Sequence, residues 1–384
     1  MTSELLEKRR ALRQAVADLS HLKLNEAARW ASTQLLGTRK PDAATEDARV
    51  VRVQFGTVDE HDAYDFASCS FDAREYSTAV HTLEPYRMAS RSSKFLYYYS
   101  RYLKLQKLVA NKQRNAKQTS SLLAGTGLAE LRTELEGEEK DAFLLYVLGM
   151  ALMDLNNMAG ARRALIESVS LYPCNWSAWK ALTASSPDIA SFREVESQLP
   201  KHFMADFFRA HVLVNMQHSE EGLELMDSSL EGDFPESHAL ISTRAVAHSH
   251  MRNYELSNET FQKLLVNNPH TIEGMDVYSN ILYVKEDHVE LTLLARRLAD
   301  EDPYRSETCC VIGNFYSFRG AHERAVVYFQ RALKLNPNCL AAWTLMVRDF
   351  NLVDGSVVLL LGVLSDNDSM LLLFNARLTF TRVA

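Results

Sequence analysis

The chain has 384 residues, 47% of them hydrophobic and 24% charged, with a net charge of −7. That is enough apolar material for a continuous core, and a weakly acidic balance with no recurring basic and aromatic face argues against a nucleic-acid partner. Five cysteines (Cys69, Cys174, Cys309, Cys310 and Cys339), odd in number and without metal-ligand spacing, support neither a disulfide framework nor a zinc site. The start MTSELLEKRRAL is amphipathic and lacks the apolar core of a secretory signal, so nucleus and cytoplasm are the expected compartments.

In chain order, the first 36 residues read as a helix pair through Leu12, Ala15, Leu19, Ala27 and Ala31. Gly37 to Ala48, with Pro41 and mixed charge, reads as a linker. Glu60 to about Ser93 reads as a second pair through Phe66, Ala67, Ala79 and Leu83. The run KFLYYYSRYLKL then sets Phe95, Tyr98, Tyr99 and Tyr102 along one helical side. Packing against the adjoining helix is the ordinary use of such a stripe. A subunit interface is the sharper one, since tyrosine is enriched in interface cores. Residues 1–110 are thus expected as N-terminal helical repeats and a dimerisation region. Residues 111–141, with Gly125, Gly127 and Gly137 among polar side chains, are expected as an exposed loop containing a short acidic helix. Glu136, Glu138 and Glu139 there read as a solvated acidic face.

From Ala142 a periodic block begins. Pro235, Pro269, Pro303 and Pro337 recur every 34 residues, which is the length of a tetratricopeptide repeat. The copy Ser306 to Cys339 carries Cys309, Ile312, Gly313, Tyr316, Ala325, Phe329 and Ala332 at positions 4, 7, 8, 11, 20, 24 and 27, counting Ser306 as position 1. Positions 8 and 20 must be small because the two helices of a pair cross there. The proline at position 32 follows the second helix, where it does little harm; inside a helix it would cost roughly 3 kcal/mol. Ile272 to Arg305 and His238 to Thr271 keep the register, the copy from Met204 keeps it loosely, and Ala142 to Asn175 is a further copy followed by a shortened one at Trp179. The expected fold is all-α, a tetratricopeptide-repeat superhelical solenoid of antiparallel helix pairs, with residues 142–352 as its regular part. Leu340 opens another repeat on schedule, but after Leu352 the pattern stops. Residues 353–384 hold two apolar runs, Val357–Leu364 and Met370–Phe374, each too short to span a membrane. This tail reads either as a flap over the last repeat or as the mark of truncation or alternative splicing of a longer array.

No HExxH, GxSxG, phosphate-binding glycine loop or kinase motif set is present, so no catalytic residues, cofactor or metal are expected, and the chain is not read as an enzyme. His211 and His248 sit at first-helix positions where packing is the plain explanation. Binding should come from the inner face, lined by positions 2, 5, 9, 12 and 13 of each first helix. In two successive repeats these include Glu273, Asp276, Asn280, Tyr283 and Val284, then Glu307, Cys310, Asn314, Ser317 and Phe318. Asparagine at position 9 can bond both polar groups of an extended peptide backbone. The acids Glu273, Asp276 and Glu307 favour a peptide bearing arginine or lysine. Ordinary hydration of a polar concave face explains the same residues without a ligand.

Four segments carry a family resemblance: FGTVDEHDAYDFASCSFDAREYSTAVHTL (Phe55–Leu83), KFLYYYSRYL, YSNILYV (Tyr278–Val284), and DPYRSETCCVIGNFYSFRGAHERAVVYFQRALKLNPN (Asp302–Asn338). Together they resemble subunit 8 of the anaphase-promoting complex, or cyclosome, over roughly Glu4 to Val347. The last segment is the most specific, because a generic repeat does not require its residues between the consensus places. The resemblance implies a non-catalytic scaffold in a multisubunit ubiquitin ligase acting on cell-cycle regulators. It also implies N-terminal homodimerisation, partners among the other repeat subunits, and a groove that receives the basic-aromatic C-box of a coactivator. The rival reading is a tetratricopeptide-repeat adaptor or co-chaperone. That reading is weakened by Asp276 at position 5, where a clamp for a peptide carboxylate would need lysine.

Overall fold

A computed structural model describes residues 2–38, 58–114, 119–139, 141–336 and 339–354. The tail beyond residue 354, most of the Gly37–Ala48 linker, and Pro337 lie outside them. Among the described residues there are nineteen α-helices and no strand. The chain divides into two units, residues 1–240 and 241–384.

The first unit holds α1 (Thr2–His21), α2 (Asn25–Gly37), α3 (Val58–Asp72), α4 (Tyr76–Leu83), α5 (Arg91–Arg114), α6 (Thr119–Glu136), α7 (Ala142–Asp154), α8 (Met158–Leu171), α9 (Trp176–Ser185), α10 (Ile189–Glu196), α11 (Phe203–Asn215) and α12 (Ser219–Leu225). A π-turn, Met226–Leu230, extends α12. The second unit holds most of α13 (His238–His250), then α14 (Tyr254–Asn267), α15 (Met275–Val284), α16 (His288–Glu301), α17 (Ser306–Phe318), α18 (His322–Leu335) and α19 (Leu340–Asp354). The shortened repeat is the pair α9–α10, of ten and eight residues.

Helix pairing follows from the small residues. A Cβ on Gly149 would meet Leu165 Cγ at 2.7 Å, and one on Gly313 would run into the Phe329 ring. Ser257, at position 20 of its repeat, donates to the Ala245 carbonyl at 2.6 Å instead of leaving a buried hydroxyl unpaired. Seven of the pairs turn through one left-handed residue each: Lys23, Arg74, Asn156, Gln217, Arg252, Glu286 and Gly320. The last three are 34 residues apart, so the repeat is written in the backbone dihedrals as well as in the prolines. In this conformation Cβ crowds the following carbonyl, yet only Gly320 avoids that cost.

The expected loop over 111–141 is corrected by the structure: the end of α5 and the eighteen-residue α6 occupy most of it. Leu128, Leu131 and Leu135, spaced for one helical face, are buried. Gly127 is a contact glycine, since a Cβ there would meet Leu105 Cδ2 at 2.6 Å. Glycines and polar residues mimicked a loop signal in a helix whose buried stripe is narrow.

The pair α1–α2 forms as expected but does not simply stack on α3 as a first repeat. It lies on the face that the first helices of the unit present. Tyr64 of α3 donates to the His21 carbonyl at 2.6 Å and stacks on its ring. Trp30 stacks on Trp176 of α9 at 4.3 Å and meets Phe207 of α11 edge-on at 5.3 Å. Lys8 pairs with Asp233 at 2.7 Å, Gln34 accepts from Ser237 Oγ at 2.5 Å, and Gly37 packs so tightly on Ser237 that a Cβ would lie 2.6 Å from its Cα. No hydrophobic periodicity announces this, because most of the contacts join positions about 150 to 225 apart in sequence.

Candidate functional site

The second unit brings most of the nominated groove residues together. Position 9 forms a ladder across three repeats: Asn280, Asn314 and Arg348. Asn314 is fully buried, and its amide donates to Asn280 Oδ1 at 2.7 Å and to Ser279 Oγ at 2.9 Å. It therefore does not stand free for a peptide backbone, as the sequence reading had it; it fixes the side chains around it. Arg348 of α19 reaches onto the same face. Its guanidinium carbon lies 4.2 Å from the centre of the Tyr283 ring, and Nη2 donates to Ser317 Oγ at 3.0 Å, Asp349 Oδ2 at 3.2 Å and Asn314 Oδ1 at 3.4 Å. Asp349, fully buried, also accepts from Ser317 Oγ at 2.6 Å and lies 3.1 Å from His322 Nδ1. Phe318 closes the cluster edge-on to Tyr283 at 5.5 Å and to His288 at 4.2 Å. A guanidinium thus rests against a π-face, two neutral oxygens and a carboxylate, the chemistry that suits arginine over lysine.

The acidic end is separate. Glu273 is exposed just before α15, while Asp276 and Glu307 are half-buried on α15 and α17. Burial, aided by the nearby Glu307, pushes the Asp276 carboxyl above its ordinary value. Glu307 accepts from Ser306 Oγ at 3.0 Å and pairs with Arg305 at 3.7 Å. Cys310, beside them in the register, is buried. Sequence reasoning missed Arg348 and Asp349, although the signal was available: Arg348 falls at position 9 of the repeat opened by Leu340.

In the first unit the aromatic stripe is consumed internally, which corrects its reading as a subunit interface. Phe95, Tyr98 and Tyr102 are buried and Tyr99 is half-buried. Phe95 packs on Phe143, Tyr99 on Phe71, and Tyr102 donates to Asp154 at 2.8 Å. Tyr98 donates to Glu138 at 3.2 Å, and burial with that carboxylate pushes its phenol up to about 12. The wall of α5 is thus used against α3 and α7. His211 is held by Trp176, at 5.9 Å edge-on, and by Asn215, and burial lowers its pKa to about 4. Among the described residues no group of three or more His, Cys, Asp or Glu side chains could hold a metal ion, and no helix is long and apolar enough to cross a membrane.

Comparison with known proteins agrees with this architecture. Residues 306–339 match the tetratricopeptide repeat profile. Among solved structures, one described as "Crystal structure of APC/C hetero-tetramer Cut9-Hcn1" superposes with a TM-score of 0.50 at 17% identity, covering 76% of this chain and 63% of that one; the likeness is one of fold. Anaphase-promoting complex subunit 8 of Arabidopsis thaliana is 33% identical over 89% of this chain and 65% of its own length. The protein of the same name in Dictyostelium discoideum is 40% identical over 56% of this chain and 36% of its own. The chain thus spans about a third to two thirds of the length of these relatives. The profile described as "Anaphase promoting complex subunit 8 / Cdc23" matches residues 7–245, and the chain belongs to that family.

Proposed function

We propose that this chain is a non-catalytic scaffold of an anaphase-promoting complex ubiquitin ligase, holding other subunits through its helix-pair array and docking a coactivator peptide on the inner face of its second unit. The observation that carries the docking half is the arginine already seated there. A face that holds the guanidinium of Arg348 against Tyr283, Asn314 and Ser317 has the chemistry to hold that of a C-box peptide. At the separate acidic end, Asp276, whose charge is disfavoured by burial and by Glu307, would gain from a second cation. In this reading Asn280, Tyr283 and Phe318 line the peptide and Asn314 orients them. Self-association, and residence in nucleus and cytoplasm, belong to the same proposal; the dimer surface then lies elsewhere than the stripe of α5. A chaperone-type adaptor is disfavoured because Asp276 would repel a peptide carboxylate.

Affinity purification of the tagged chain from growing cells tests the assembly half. The ligase's catalytic subunits and other repeat subunits should be recovered, and recovery of chaperones alone would refute it. Calorimetry with an arginine-bearing C-box peptide tests the docking half. Glu273→Lys with Asp276→Lys should weaken binding by about tenfold or more, and an unchanged dissociation constant would remove these acids from the site. Binding to the parent chain should also weaken as pH falls toward the raised pKa of Asp276, because its proton must leave before the cation is favoured.

A further inference from the structure

Between α6, α7 and α8 lies a cleft of about 340 Å³ that neither the repeat consensus nor the proposed function uses. Its floor is a row of leucines one helical turn apart on α7, Leu144, Leu148 and Leu152, flanked by Leu135 of α6. At 1.5 Å per residue the row is roughly 12 Å long, a trough better matched to a helix side than to a compact small molecule. The rim is acidic: Glu136, Glu138, Glu139 and Glu167 line it, with Arg163 as the single cation among the described lining residues. The acidic rim is also held in place. Glu138 accepts from Lys94 Nζ at 2.8 Å and from the Tyr98 hydroxyl at 3.2 Å, and Asp141 pairs with Arg91. The segment between α6 and α7 is therefore pinned to α5 at both ends, leaving Glu139, and Glu136 with its neighbour Arg132 at 3.5 Å, exposed beside the leucines.

We infer that this cleft docks a basic amphipathic helix of another protein, with leucine-like side chains in the trough and lysine or arginine against Glu136 and Glu139. Apolar anchors one turn apart are the usual reading code of a helix in a groove, and opposite charge around the rim sets orientation and excludes acidic competitors. The surface is distinct from the arginine-binding face of the second unit, so either proposal can fail alone.

The test is fluorescence anisotropy with the full chain and a fluorescein-labelled stapled helix carrying leucines at i and i+4 flanked by lysines. Its counterpart with glutamates in place of the lysines serves as a control. The basic helix should bind and the acidic one should not. Glu136→Lys with Glu139→Lys should weaken binding by about tenfold, as expected for two partly screened charges. Ala164→Trp, which fills the cleft, should abolish it. Glu220→Lys with Glu224→Lys, an equal charge change on exposed positions of α12, should leave it intact. Equal loss in the α12 pair, or no loss in the Glu136 and Glu139 pair, overturns the inference; the surface glutamates tolerate exchange even if Ala164→Trp does not fold. A chain that light scattering shows to be dimeric, and that becomes monomeric in the Glu136 and Glu139 variant, would put a second copy in the trough and overturn it as well.

Discussion

The two units solve the same packing problem differently. In residues 241–354 helix pairs are closed by their own neighbours, and the face of the first helices is crossed, among the described residues, by side chains from adjacent repeats, Arg348 foremost. In residues 1–240 the corresponding face is covered by α1 and α2, which touch α3, α9, α11 and the turn before α13. An array built from one repeat rule can therefore be either nearest-neighbour in its energetics or tied together by a long-range clasp. The rule itself does not say which.

The largest effect that would break this contrast is loss of the clasp. Trp30→Ala should destabilise the first unit by about 3 kcal/mol, a large-to-small change within a stacked aromatic cluster. Hydrogen exchange should report faster opening in α9 and α11 and no change in α15 to α18. In the second unit, Arg348→Ala should cost about 2 kcal/mol, because Asp349 keeps a buried carboxylate without its guanidinium. Its exchange signature should stay within α17 to α19, as measured by the same method.

Protons sharpen the comparison. Burial lowers the pKa of His21, His202 and His211 in the first unit, the last to about 4. Folded, these rings bind fewer protons than unfolded, so their contribution is whole above the ordinary value of 6.5 and fades as pH falls toward the folded values. Asp276 in the second unit is raised; its contribution is present below 3.8 and lost as pH rises through the folded value. Thermal melts at pH 7.5 and 5.5, followed by tryptophan fluorescence with Trp30, Trp176 and Trp179 in the first unit, should show that unit losing midpoint temperature on acidification. The smallest effect concerns the turns: Glu286→Gly, at a φ of 57°, should stabilise the second unit by about 0.5 kcal/mol, since glycine bears no Cβ there, as read from the denaturant midpoint.

The sequence was most legible where structure is local. Small residues at positions 8 and 20 and prolines at position 32 mark helix crossings and helix ends because each acts within one repeat. Register was enough to put Asn280, Tyr283 and Phe318 on one surface. Reading position 9 one repeat further would have supplied Arg348. Two things were hidden for physical reasons. Helix α6 buries a narrow leucine stripe among glycines and glutamates, so its composition resembles a loop. The docking of α1–α2 depends on shape fit between distant segments: Gly37 against Ser237 leaves no trace in any window of the sequence. The same distance misled the reading of the α5 tyrosines, which looked surplus to their own pair because their partners, Phe71, Glu138 and Asp154, come from three other segments.

The clasp also imposes an order of events during synthesis. Residues 2–37 are made before the surface that receives them, which is complete only when Ser237 has emerged, whereas each later hairpin finds its neighbour already waiting. Trp30 and the oily side of α2 must spend that interval uncovered on the nascent chain. This earlier-made segment is then the last to settle in its unit, and it is the point at which a holding chaperone would be needed most.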